Sequence, residues 1–344
     1  MARASTPKTA VVVPNWNGKD DLPACLDSLL AQSVPVDIIV VENGSIDGSI
    51  ELIEDKYPSI ILLKQPVNLG FSGGVNVGLQ YAIDNKYSFA ALFNNDAVAD
   101  KHWLGHLIDE LAKHPHVGIA ACKFMTIDRS HLDSTGDTYT NWGLPFPRGR
   151  DESDLDKYDE QLDIFGASGG SSLYRVDMLR GIGLMDSDFF AYYEDVDISF
   201  RAQLAGWPVR FVPQSVAYHQ IGGTSGKIRG FTTMQFMKNI PWTYWKNVPR
   251  ELLWTIGIRL CFVYTLFYGR AILRGQFVPA TKGMLRSLAL LPKKLRERRT
   301  IQRSKTVSTD YIRSIIVWDL PPNAANLRKL RSFVRPLFFW RKHK

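Results

Sequence analysis

Four short apolar runs recur along the first hundred residues: Ala10–Val13, Asp37–Val41, Ile60–Leu63 and Phe89–Phe93. Each is bounded by polar residues or glycine, the pattern of a strand covered on both faces. Between them Leu22, Leu26, Leu29 and Leu30 recur at helical spacing, Ile50, Leu52 and Ile53 begin a second helix, and Asn68–Gly78 opens a third. This alternation predicts an α/β fold around a mainly parallel sheet. The loops Pro14–Gly18, Glu42–Ser49 and Asn94–Asp96 follow strand ends, so they share the carboxyl edge where such sheets bind ligands.

A second pattern lies at 183–201, where Phe189, Phe190, Tyr192 and Tyr193 run directly into Glu194, Asp195 and Asp197. Apolar positions then continue at helical spacing until Gly206-Trp207-Pro208 stops them. Glu194 and Asp195 thus fall in a first helical turn, where free amides favour negative charge, and Asp197 is spaced to pair with Arg201. Two readings stand side by side. One is a capped helix with an internal ion pair. The other makes Asp195 a general base, kept ionised by a low pKa at the helix terminus. Upstream, His131–Asp163 reads as a long polar excursion able to cover a site. Phe165–Arg175 returns as a small-residue strand, suited either to close substrate approach or to tight packing.

The glycines at 70, 73, 74 and 78 do not fit G-x-G-x-x-G, and a Walker A lysine motif is absent. A nucleoside diphosphate held by loop amides and carboxylates fits better, with Glu42 and Asp47 suited to base or ribose donors. Asn43, Ser45 and Asn68 serve equally as turn residues. Asn94-Asn95-Asp96 suits a hard divalent cation bridging a diphosphate, or a simple Asx turn. His219 precedes a glycine loop and suits a second ligand or a structural role.

Charge changes the picture of the last third. Residues 1–226 hold 17 Lys/Arg against 30 Asp/Glu, and residues 227–344 hold 25 against 4, so a net of −13 meets one of +21. The basic tail is interleaved with Trp242, Tyr244, Trp245, Trp254, Phe277, Phe338, Phe339 and Trp340. That mixture fits an anionic membrane surface and argues against nucleic acid. Residues 251–268 are apolar except for Glu251 at their start, Arg259 and two threonines, short for a span and better suited to an interfacial helix pair. Pro292–Arg299 would face headgroups, and Tyr311–Leu320 and Leu327–Trp340 would dock as helices. Three scattered cysteines and an N-terminus without an apolar core predict a cytoplasmic protein, peripheral on the inner face of the membrane. The expected division is 8–245 for the α/β domain and 246–344 for the basic helical tail.

Taken in order, Val13–Gly18, Val41–Ser49, Asn68–Asn76 with Asn94–Asp96, and Tyr193–Asp197 with Arg201 resemble the family 2 glycosyltransferases of GT-A fold, the bacterial rhamnosyltransferase-like group in particular. The resemblance implies a nucleotide-sugar site at Pro14, Asn15, Asn17, Glu42, Asn43, Ser45, Asp47, Asn68, Gly70, Phe71, Gly73, Asn76 and Asn95. It implies Asp195 as catalytic base beside Glu194, and an acceptor wall at Gly169, Gly170 and Tyr193. Asp96, Asn94 and His219 would bind Mg²⁺ or Mn²⁺. The implied reaction is inverting transfer from dTDP-rhamnose or a UDP-sugar to a polyprenyl-diphosphate-linked saccharide. Three departures stand out: Asn94 replaces a metal carboxylate, Glu42 stands where Asp is usual, and the processive Gln-x-x-Arg-Trp signature is missing, so addition of one sugar is expected. A catalytically silent binding protein of the same fold is the alternative reading.

Overall fold

The computed structural model describes residues 7–220 and 228–319. The first part alternates as expected: β1 (Thr9–Asn15), α1 (Leu22–Leu30), β2 (Asp37–Asn43), α2 (Ser49–Lys56), β3 (Ile61–Gln65), α3 (Gly70–Asp84) and β4 (Phe89–Phe93). β5 (Ala97–Ala99), α4 (Trp103–Lys113) and β6 (Ile119–Thr126) follow. The polar excursion folds into β7 (Leu132–Ser134), β8 (Asp137–Tyr139), β9 (Pro145–Pro147) and β10 (Asp163–Ile164), and β11 (Ser171–Arg175) returns to the sheet. Next come α5 (Val176–Ile182), α6 (Glu194–Leu204) and β12 (Val209–His219). The C-terminal part is helical: α7 (Phe231–Asn247), α8 (Arg250–Leu273), α9 (Phe277–Arg303) and α10 (Thr309–Ile315).

The main sheet runs β10-β12-β6-β11-β4-β1-β2-β3, with β5 and β7 alongside β12 and β6. β3, β2, β1 and β4 are parallel, and their side chains alternate between two helical layers. Val11, Val13 and Val40 pack with Leu22, Leu26 and Leu107 on one face. Ala10, Val12 and Ile39 pack with Val75, Leu79 and Ile198 on the other. β11 is antiparallel to β4 and β6, so the residues that precede it lie beside the carboxyl end of β4. β12 slips register between Val212 and Val216, a bulge that re-aims the strand end. His219 thereby pairs with Ala97 across β5.

A third core joins the excursion to the C-terminal helices. Tyr139, Phe165 and Phe200 meet with ring centroids 5.1–5.4 Å apart, and Ile240, Tyr244, Leu252, Ile256 and Ile312 surround them. The expected boundary at 245 falls inside α7, whose residues join α6 and α8 in this core. The apolar tail segment begins a 24-residue helix and continues past its expected end at 268. The helix expected at 311–320 is a shorter α10 starting at Thr309, capped by the Ser308 hydroxyl. The expected helix at 327–340 lies outside the described residues.

Candidate active site

The strand-end loops meet as a hydrogen-bonded chain. The Glu42 carboxylate, wholly buried at the end of β2, accepts from Asn15 Nδ2 at 2.7 Å, Ser45 N–H at 2.9 Å and the Ser49 hydroxyl at 3.1 Å. Asn15 Oδ1 in turn accepts from Asn95 Nδ2 at 2.8 Å. Next to Asn95, the Asn94 backbone N–H donates to Gly170 O at 2.9 Å, and Gly169 N–H donates to Asp195 Oδ2 at 3.0 Å. Joined by the Asn94–Asn95 and Gly169–Gly170 peptide links, these bonds connect β2 across β1 and β4 to the start of α6. Residues 150 positions apart face one sheet edge.

Most of the expected nucleotide residues line this edge, many by shaping it. Asn17 (φ 52°) accepts from Ile46 N–H, and Asp47 holds Lys19 N–H and Ser49. Asn43 accepts from Leu69 N–H and donates to Asn68 and Gly70, tying the β2 loop to the start of α3. Gly70 has φ +74°, and a Cβ there would stand 2.4 Å from Phe190 O, so only glycine fits this approach of the two loops. Phe71 lies against the backbone of Gly169, where a Cβ would meet its ring at 3.2 Å. Pro14 is partly exposed at the end of β1.

Four expected residues act otherwise. Gly73 is buried inside α3, its Cβ position against the Leu69 side chain. Asn76 exchanges two hydrogen bonds with the Met185 backbone, at 2.7 and 3.0 Å, and braces the segment before α6 instead of a nucleotide loop. Glu194, expected beside the base in the cleft, is only 4% exposed, with Oε2 buried and unbonded. Burial first, and the Asp195 charge second, push its pKa well above the carboxylate range. Tyr193 packs its ring edge on Phe236 and carries a left-handed backbone, φ 72°.

Asp195 corrects the expected low pKa. Gly169 and Val196 N–H groups both favour its charged form, but burial outweighs them and raises it. The helix terminus orients the carboxylate without making it a weak base. Asp137, buried on β8, is pushed up as well, by burial and then by Asp195. Asp197 behaves as expected, bonded to Arg201 Nε at 2.9 Å, and Lys246 and Asn247 add further partners at 3.0 and 2.8 Å.

The candidate metal residues converge. His219 Nε2 lies 3.1 Å from Asp96 Oδ1 and 3.3 Å from Asn94 Nδ2. Asp96 Oδ1 is buried, with the His219 imidazole at ion-pair distance. His219 Nδ1 is held at 2.8 Å by Asp133, itself paired with Arg150 at 2.5 Å, and Phe124 stacks on the ring at 4.7 Å. A ligating histidine is usually fixed by such a carboxylate, so the donor set suits a divalent cation. Burial would lower the His219 pKa, yet Asp133 and Asp96 raise it to about 9. Asp186, Asp188 and Glu297 also cluster, but the Lys246 and Lys294 ammoniums, each 2.6 Å from Asp186, already supply the positive charge there.

Residues the sequence did not single out complete the site: Asp133, Asp137, and Asn239 and Lys246 on the C-terminal helices; Lys294, expected to face headgroups within 292–299, is instead fully buried against Asp186 and Asp188. Asp133 and Asp137 sit in a stretch that reads as polar turn, where spacing gives no sign of burial.

A mainly parallel sheet with its loops and the Asp195 turn gathered on one edge defines a GT-A glycosyltransferase. Residues 10–183, half of the chain, match the model of glycosyl transferase family 2, and the chain belongs to that family. It is 26% identical over 239 residues to an N-acetylglucosaminyl-diphospho-decaprenol L-rhamnosyltransferase of Mycobacterium tuberculosis, covering 63% of this chain and 77% of that one. Its fold resembles mannosyltransferase PcManGT of Pyrobaculum calidifontis, solved with GDP-Man and Mn²⁺: TM-score 0.51, 15% identity, 96% of this chain and 81% of that one. It also resembles S. aureus TarS 1–349: TM-score 0.53, 16% identity, 86% of this chain and 90% of that one. The chain is thus a glycosyltransferase.

Proposed function

We propose that this protein moves a single sugar, with inversion, from dTDP-rhamnose or a UDP-sugar to a hydroxyl of a polyprenyl-diphosphate-linked saccharide. The hydrogen-bonded chain from Glu42 to Asp195 carries the reading, because it sets donor loops and base around one edge. The loops at 14–17, 42–47 and 68–71 hold the nucleotide. Asp195, aimed by the Gly169 and Val196 amides, takes the acceptor proton as the acceptor oxygen bonds to the anomeric carbon. The bond from that carbon to the diphosphate oxygen breaks on the opposite face, and the nucleoside diphosphate leaves with the electron pair. Gly169 and Gly170 leave room for the acceptor beside the base. Asp96, His219 and Asn94 would hold Mg²⁺ or Mn²⁺, which supplies positive charge to the departing diphosphate. The name of the mycobacterial relative, a rhamnosyltransferase acting on a decaprenol diphosphate, supports this donor and acceptor class. Asp96→Ala is expected to lose Mn²⁺-dependent donor hydrolysis, and its Mn²⁺ affinity, read by electron spin resonance, to fall by more than the roughly 10–100-fold that a supporting partner costs. Unchanged Mn²⁺ affinity would place the cation elsewhere.

The tail supports work at the inner membrane face. α8 is long and apolar enough to cross a bilayer, with mean hydropathy 1.5. Its Leu252, Ile256, Leu260 and Val263 are nonetheless buried against the third core, and Arg259 sits mid-helix. A helix so engaged lies along a surface. α9 turns Ala280, Gly283, Ser287 and Lys294 inward, while Val278, Leu285, Leu288 and Leu295 form a second, exposed apolar stripe flanked by Lys282, Arg286 and Arg296. Exposed apolar side chains edged by cations match an anionic lipid surface. The double substitution Leu285→Glu, Leu288→Glu is expected to cut sedimentation with mixed anionic and zwitterionic vesicles by about tenfold or more, since it both removes apolar area and adds repulsion. Equal binding by the variant would show that this stripe faces something else.

A further inference from the structure

The turn that carries Asp195 is held from outside. Phe190, Tyr192 and Tyr193 have φ of 64°, 69° and 72°, a left-handed region that side chains with a Cβ adopt only when their surroundings enforce it. α7 provides the enforcement. Asn239 is wholly buried, and its Nδ2 lies 3.1, 2.9 and 2.8 Å from the carbonyls of Phe189, Ala191 and Tyr192. Three acceptors around one atom require that atom to be the amide nitrogen. Asn239 Oδ1 is buried without a partner, so the side chain is poorly satisfied on its own account and is kept for what its N–H groups grip. Lys238 adds bonds to Asp188 O and Phe189 O at 2.9 and 3.1 Å. From the donor side, Ser72 N–H reaches Phe190 O at 3.2 Å, and Asn76 braces Met185. The turn is pinned between the donor helix and α7, one residue before the start of α6.

We propose that Asn239 is a positioning residue of the transfer: by gripping the 189–192 carbonyls it fixes Tyr193 and the direction of the Asp195 carboxylate, which makes α7 part of the catalytic apparatus. This rests on Asp195 being the base. Asn239 touches no substrate, and its loss acts through that carboxylate alone. Asn239→Ser keeps one weaker donor, and Asn239→Asp puts a negative group against three carbonyls. Both are expected to leave donor KM and nucleotide Kd within about threefold while lowering kcat about 100-fold, the scale of a misplacement near 1 Å. Adding Tyr192→Gly to Asn239→Ser is expected to recover roughly tenfold in kcat, because glycine accepts the left-handed backbone without external grip.

The measurements are steady-state kinetics in donor and acceptor, nucleotide titration calorimetry and thermal melting of the full chain. A cooperatively melting Asn239→Ser with kcat within threefold of wild type overturns the proposal, as does a loss matched by nucleotide binding. If neither Asn239 variant folds, Lys238→Met reads the same split: a kcat loss of about tenfold at constant donor KM supports it, and unchanged kcat overturns it. Turnover retained in Asp195→Asn removes the base assignment itself. Loss there with normal Asn239 variants removes only the positioning role.

Discussion

Asp195→Asn is expected to bind the nucleotide donor as wild type does and to lose sugar transfer by about 10²- to 10⁴-fold in kcat, the usual contribution of a positioned base. Gly169 N–H bonds Oδ2 and Val196 N–H bonds Oδ1, so Asn keeps the shape of the carboxylate and one of its two acceptors while losing its basicity. The donor loops are built from Asn15, Glu42, Asn43 and Asn68, none of which bonds directly to Asp195, so donor affinity is expected to hold. A pH signature accompanies the loss. Burial raises Asp195 above the ordinary carboxylate value of about 3.9. The base works only when ionised, so wild-type kcat/KM falls as pH drops through this raised value, and the acid limb lies above that of a free aspartate. The limb should vanish from the residual activity of Asp195→Asn. Transfer assays with labelled donor across pH check both. A variant turning over normally would remove Asp195 from the chemistry.

The first four strands were legible because both their faces are covered: Val11 and Val12 go to opposite helical layers, so the whole run must be apolar. The strand-end loops were legible for a related reason, since parallel strands put all their carboxyl ends on one edge. What spacing could not convey is which loop residues meet a ligand and which hold the loop. Glu42 and Asn76 look equally available in the sequence, yet one carries the β2 loop and the other braces Met185. The pKa of Asp195 was misread because a helix terminus is visible in sequence and the burial around it is not. The three left-handed residues at 190–193 were hidden too, since aromatic residues give no warning of positive φ. Charge misled in an instructive way. The acidic front and basic tail suggest two separate surroundings, but Asp186, Asp188 and Asp197 meet Lys246, Lys293 and Lys294. Part of the asymmetry is an ion network inside one molecule.

That network sets the other large expectation. Lys294 is fully buried, with Nζ 2.6 Å from both Asp186 and Asp188 and 3.2 Å from Glu297. Lys294→Met preserves the length and apolar bulk of the stem while removing the charge, so the cost falls on the acids left behind. Breaking a buried pair from one side typically costs about 3–5 kcal/mol, because the remaining charge is neither solvated nor paired. Lys246 and Lys293 still face Asp186 and Asp188, which places the expected loss toward the lower end of that range. The pH dependence fixes the sign. Burial alone would raise Asp186, but Lys246 and Lys294 hold it well below the usual carboxylate range. A depressed native pKa stabilises the fold at pH values above the unfolded value of about 3.9, and that contribution is lost as pH falls through the native one. The gap between wild type and Lys294→Met is therefore widest near neutrality and closes as the acids protonate. Urea denaturation midpoints at neutral pH and at about pH 2, below the unfolded carboxylate value, measure it, and adding Asp188→Asn should narrow the gap by removing one stranded charge. Because Asp186 and Asp188 flank the segment leading to Asp195, transfer should fail in this variant before the sheet unfolds; a variant as stable and as active as wild type would mean the ammonium is replaceable there.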